Sequence, residues 1–338
     1  GLFNGTKTYH GYDVDIMKSA VQKGIRRGMM ELSLYSAFEL YRLAEIGGKA
    51  AQTNLYNRLA TIAAEDIGPA NLPLVLYVIN YVLTDVKNNN RDPAKLATLI
   101  QHLVMSPKTR LMSHIWREYT NQIARLSMMQ KGKLLDQELD INLIGNTEID
   151  EFFKDGDAVQ LIPYAKMFYL RRKEKDMNAV WWVYCFLQKV KDDKISKVTR
   201  RRRRTKPMII IWEILRYFLD QTIIDILSQA YFTFSEGRAF LMMAITYHLY
   251  SKNNEESHHE IDDIIQEGIT IWNESLYLNK LLRSDYQLEI PEYVIDIHTK
   301  AGKINGKNRQ DFVEGGALVV NQDTYYYQAE LEEIYCQS

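Results

Sequence analysis

The chain is expected to be all-α. Three observations predict that class. Apolar residues recur at helical spacing through most of the 338 residues, no segment sustains period-2 alternation between turn dipeptides, and only 7 prolines and 17 glycines punctuate the chain. The composition, 46% apolar and 25% charged, is that of a soluble globular protein with enough length for a well-buried core.

The elements follow in order. Residues 1–12 are polar and aromatic and read as an extended arm. Asp13 stands at an N-cap position, and Val14, Met17, Ala20, Val21 and Ile25 then recur at helical spacing up to Gly28. Leu32, Leu34, Tyr35, Phe38, Leu40 and Leu43 predict a second helix. Leu55, Leu59, Ile62 and Ala63 predict a third, stopped by Gly68-Pro69. Residues 74–86 are apolar nearly all round and predict a buried helix. Pro93 opens a fifth helix, 94–105, and Pro107 a sixth. Residues 126–156 read as a linker with short helical pieces. Helices are expected again at 158–172, 176–191, 208–219, 222–232, 238–250, 257–267 and 269–282, before an irregular tail, 285–338, with a short Tyr-rich helix at its end. The expected organisation is therefore an arm, a module at 13–125, the linker, a second module at 157–284, and the tail.

The bulk charge excludes little. A net charge of -1 gives no global basic field, and Cys185 and Cys336 alone make neither a disulfide framework nor a Cys-based zinc site. They fit a reducing compartment, cytoplasmic or nuclear. No signal-type segment is seen at the N-terminus, and no apolar run approaches the roughly 20 residues of a membrane span. No membrane partner and no cofactor are expected.

The two halves resemble each other. Ile25-Arg26-Arg27-Gly28 and the helix after it match Leu170-Arg171-Arg172-Lys173 and 178–190. The stretch around His102 matches that around His248. Residues 59–62 align with 215–218 if the second copy carries an insertion of about ten residues, which the Lys-Val-Thr-Arg-Arg-Arg-Arg-Arg-Thr-Lys segment at 197–206 supplies. Chance similarity between amphipathic helices is the competing explanation.

Three motifs recur in one known domain. Ile25-Arg26-Arg27-Gly28, then Glu65-Asp66-Ile67-Gly68-Pro69-Ala70-Asn71, then Ser106-Pro107-Lys108 stand in the order found there. Residues 13–119 resemble the C-terminal helical domain of replication-associated recombination protein A and the Werner-helicase-interacting proteins, AAA+ ATPases of the clamp-loader clade. Asp296-Ile297-His298-Thr299 and Glu314-Gly315-Gly316-Ala317 resemble tails of phage or viral relatives. The resemblance implies a clamp-loader-collar-like helical module that self-assembles into dimers or tetramers and contacts DNA and replication or recombination proteins; if the internal repeat is a duplication, the chain carries two tandem copies of it. The ATPase does not carry over, because no Gly-x4-Gly-Lys-Ser/Thr loop occurs.

Several groups could carry chemistry. Lys23, Arg26, Arg27 and Arg58 with Lys108, Arg110 and Arg117 would form a basic face for phosphates if they converged; salt bridges to Glu65 or Asp66 are the alternative. Arg200, Arg201, Arg202, Arg203 and Arg204, flanked by Lys194, Lys197 and Lys206, predict an exposed loop that grips an anionic polymer, or a nuclear-localisation signal. Glu65, Asp66, Gly68 and Pro107 read as structural: the paired acids have no third ligand nearby and would cap the next helix or pair with an arginine. His258 and Asp262 share a helix face and are the weak metal candidates. His298 could bond locally or act as a base. His102, His248, Trp116, Trp181, Trp182 and Trp212 read as core, with base stacking the alternative for the tryptophans.

The function expected from the sequence is a non-enzymatic DNA replication or recombination accessory protein that oligomerises and binds nucleic acid through basic helix ends and the arginine segment. A structural or adaptor protein of viral or phage type, and a metal-dependent DNA- or nucleotide-processing enzyme, stay open beside it.

Overall fold

The computed structural model describes residues 5–124, 148–153, 156–200, 203–250 and 285–319. The protein is an all-α multi-helix bundle. It divides into two compact units, the first drawn from 5–111 with 285–319, the second from 112–250.

In the first unit α1 (Val14–Arg26) and α2 (Met30–Tyr41) form a helical hairpin. Gly24 permits their close approach, since a Cβ there would lie 2.5 Å from Ser33 Oγ. The chain turns at Gly28 with φ +67°. Asp13 sits at the predicted N-cap without capping and pairs with Lys7 at 2.9 Å instead. The arm expected to be merely extended is anchored: Thr8 Oγ1 and the His10 amide both donate to Glu39, which is buried in α2.

Helices α3 (Lys49–Ile62), α4 (Leu72–Tyr81) and α5 (Pro93–Met105) complete this core. Asn71 caps α4 and Asp92 caps α5, each accepting from a backbone N–H of the first turn. Between α3 and α4 the helix widens to a π-turn at Ala63–Ile67, then tightens at Gly68–Asn71. By length and composition the stretch Lys49–Val86 could cross a bilayer, although Gly68-Pro69 divides its apolar sequence into two runs. Most of its apolar window is buried in the protein's own core.

The second unit begins in α6 (Leu111–Ala124) and contains α7 (Ile162–Lys173), α8 (Asn178–Asp192), α9 (Ile209–Leu215), α10 (Gln221–Thr233) and α11 (Arg238–Tyr250). Helices α7 and α8 make a second helical hairpin. Trp181, Trp182 and Trp212 lie in this core, as their apolar settings predict. Pro107 does not start α6: Ser106 already has extended backbone, and the helix begins at Leu111. The helices expected at 257–267 and 269–282, the C-terminal helix, His248's side chain and most of the 126–156 linker lie outside the described residues.

Two placements depart from the linear reading. Residues 285–319, expected as a separate tail, pack on α1 through short helical turns, including α12 (Lys300–Ile304). The arginine segment is not a simple loop. Val198–Arg200 (β1) and Arg203–Thr205 (β2) pair antiparallel, with Val198 opposite Thr205, Thr199 opposite Arg204 and Arg200 opposite Arg203. The strands are too short for period-2 alternation to announce them.

Candidate functional site

Three of the motifs found in the sequence meet at one buried charge network in the first unit. It is built around Asp66, which is fully buried in the π-turn. Arg26 Nε lies 2.6 Å from Asp66 Oδ1, Arg110 Nε lies 3.4 Å from the same oxygen, and Gln22 Nε2 donates to Oδ2 at 3.0 Å. The Asp66 carbonyl accepts from the Thr109 amide at 3.1 Å, tying the Ser106-Pro107-Lys108 link to the π-turn. Glu65 is half-buried and takes a longer contact from Gln22 at 3.4 Å.

The segment 285–319 closes the other side. Lys23 Nζ bonds Asp296 Oδ2 at 2.6 Å and the Val294 carbonyl at 2.8 Å. Arg26 and Arg27 donate to the carbonyls of Gly316 and Gly315 at 3.0 and 2.6 Å. The Arg27 guanidinium stacks 3.9 Å over the Tyr293 ring. Phe312 lies between Arg26 and Arg110, with His298 edge-on at 4.8 Å. His298 Nδ1 is 3.2 Å from both Asp296 oxygens, and its amide donates to Oδ1 at 2.8 Å; 61% of its side chain faces solvent.

Burial pushes the Asp296 carboxyl up, but hydrogen bonds from His298 and Lys23 outweigh it and hold the pKa down at about 2. Burial also draws the Lys23 ammonium down, against the pull of Asp296. Lys108 has no exposed surface. Its ammonium donates to the Val104 and Ser106 carbonyls at 2.5 and 2.8 Å, ending α5, and burial lowers its pKa to about 8.

The expected basic face therefore changes character. Lys23, Arg26 and Lys108 are 3%, 4% and 0% exposed and bonded within the protein, so in this conformation they do not present charge to an external phosphate. Arg27 and Arg110 are partly buried in the same network, Arg58 is half-buried, and Arg117 is exposed. The reason is long-range: Asp66 lies 40 residues beyond Arg26, and Asp296 much further from Lys23. Gly68, at φ +52°, and Pro107 flank the junction.

In the second unit Lys194, Lys197 and Lys206 are exposed around the β1–β2 hairpin, which carries Arg200, Arg203 and Arg204 in its paired strands; Arg201 and Arg202 lie outside the described residues. His258 and Asp262 also lie outside them. Among the described residues no group of three His, Cys, Asp or Glu side chains could hold a metal ion. Asp296 and Phe312 were missed as partners of the basic residues. An acid between Ile295 and Ile297 was the available signal for Asp296; nothing local marked Phe312.

No family model, curated protein or solved structure matches this chain. The likeness to the recombination-protein domain rests on the motifs alone.

Proposed function

We propose that this protein is a nucleic-acid-binding accessory protein whose contact surface is the β1–β2 hairpin with its flanking lysines. The observation that carries the reading is the register that sets Arg200 opposite Arg203. Like charges directly opposite on a two-stranded ladder oppose its pairing. No acidic residue occurs between Asp193 and Glu213 to offset five arginines and the lysines beside them. A polyanion supplies the missing counter-charge, and a two-stranded ribbon has the width to enter a duplex major groove. Backbone contacts by these side chains would give sequence-independent affinity. The motif resemblance supports a replication or recombination setting and self-assembly into a dimer or tetramer, which light scattering measures directly.

The test is fluorescence anisotropy with labelled duplex DNA, single-stranded DNA and RNA at low and high salt. Affinity should fall steeply with salt, with a slope of about -0.9 per phosphate contacted on duplex. Replacing the five arginines at 200–204 by Ala should flatten that slope. No binding at low salt, or equal binding by the variant, would sink the reading; binding to anionic vesicles in preference to DNA would redirect it.

A second reading has one observation in its favour. Asp296 orients a largely exposed His298 through Nδ1, as an orienting carboxylate does for a general base. Nuclease or nucleotide-hydrolase activity that is lost in His298→Ala, in a variant that melts like wild type, would support it.

A further inference from the structure

Arg172, in the last turn of α7, is 4% exposed. Its Nε is sealed from solvent with no hydrogen-bond partner, and its guanidinium carbon lies 5.0 Å from the centre of the Phe218 ring. Among the described residues no carboxylate pairs with it. Burial alone pulls its pKa down to about 10. A buried charge without a partner is costly, and folded proteins ordinarily supply one.

The same molecule shows what the ordinary arrangement looks like. Arg26 is also 4% exposed and also belongs to an Arg-Arg pair that ends the first helix of a helical hairpin. Arg26 has Asp66 at 2.6 Å. The register that aligns residues 59–62 with 215–218, continued along the chain, sets Gln221 and Thr222 where the first unit has Glu65 and Asp66. It also brings Phe218, the residue against Arg172, level with Ile62. The motif is repeated with an offset of one residue in the buried arginine, and the carboxylate is replaced by a neutral hydroxyl. The nearest acid in that stretch, Asp220, is exposed and occupied: its carboxylate caps α10, accepting from the Thr222 amide at 2.9 Å.

We propose that Arg172 binds a small free oxyanion, a phosphate or carboxylate, in the role that Asp66 fills for Arg26. The planar guanidinium offers parallel donors to such a group, and a ring against one face leaves the donor edge available. At 4% exposure Arg172 is within reach of a small ion rather than of the backbone of a duplex. The competing explanation is that the carbonyl end of α7 satisfies the charge. A helix C-terminus carries only about half an elementary charge and leaves Nε without a bond.

The experiment is thermal unfolding of the full chain in chloride buffer, with inorganic phosphate or acetate added at constant ionic strength. The wild-type Tm should rise with the logarithm of one oxyanion's concentration, and the arm that responds identifies phosphate or carboxylate. Arg172→Met should lose that response and, in chloride alone, melt no lower than wild type, because it removes an uncompensated charge. Thr222→Asp, which puts a carboxylate at the position aligned with Asp66, should raise Tm in chloride and abolish the response; it keeps the test decisive if Arg172→Met misfolds. A wild-type Tm indifferent to both oxyanions, or an equal rise in Arg172→Met, would overturn the proposal.

Discussion

Arg26 Nε and Asp66 Oδ1 stand 2.6 Å apart, with the arginine 4% and the aspartate 0% exposed. The pair joins the end of α1 to the π-turn after α3, and Arg110 and Gln22 share the same carboxylate. Removing one member strands the others. Asp66→Ala should cost about 3–5 kcal/mol, the range for an uncompensated buried charge. Hydrogen exchange across α1 to α5 measures it; the described tryptophans all lie in the second unit and would not report the first. A loss below about 1 kcal/mol, the value of an exposed pair, would mean that the network is not closed as described.

Asp296 makes acid stability a second test. Its folded pKa, about 2, lies below the ordinary 3.8, so the unfolded chain takes up the proton first. The stabilisation is present above pH 3.8 and is lost as pH falls through 2. The shift corresponds to about 2 kcal/mol. Wild type minus Asp296→Asn, followed by urea unfolding, should shrink by about that amount between neutral pH and pH 2. A constant difference would show that Asp296 is not held by Lys23 and His298.

Lys108 predicts a slope of the same sign at alkaline pH. Its folded pKa of about 8 lies below the ordinary 10.5, so above pH 8 the folded chain sheds this proton while the unfolded chain retains it. Stability from this group should therefore rise between pH 8 and 10.5, by about 3 kcal/mol in full. In Lys108→Met that rise should disappear, as read by denaturation at matched salt across the same range.

Gly302 tests the attachment of 285–319. A Cβ at this position would lie 1.8 Å from the Asp296 carbonyl oxygen, a backbone atom that a rotamer change cannot relieve. Gly302→Ala should displace the turn that presents Asp296 to Lys23, at a cost at or above the usual 1–3 kcal/mol of overpacking, so about 3 kcal/mol. Faster proteolysis confined to 285–319, with the α7–α8 hairpin unaffected, is the expected pattern.

Much of the fold was legible because helix formation is local. The apolar spacing of Val14, Met17, Val21 and Ile25 marks α1 within two residues, and Asp92-Pro93 marks the start of α5. The β1–β2 hairpin was illegible for a local reason too: two three-residue strands, Val-Thr-Arg and Arg-Arg-Thr, are too short to carry periodicity. The candidate site was half legible. Its motifs stood out one at a time, but nothing in Asp296-Ile297-His298-Thr299 indicates that its acid faces Lys23, or that Phe312 would stand between two arginines.

The sequence by itself determined that this protein is helical, where most helices begin and end, and which residues form its apolar core. Those properties follow from spacing along a few turns of chain. Tertiary structure alone decided what the charges do. Lys23, Arg26 and Lys108 look like free cations in the sequence and are internal ones in the fold, because carboxylates and carbonyls brought in by other parts of the chain surround them. Arg172 looks the same in the sequence, and the fold buries it with no such partner among the described residues. Charge is visible in a sequence; desolvation and the counter-charge that offsets it depend on long-range contacts.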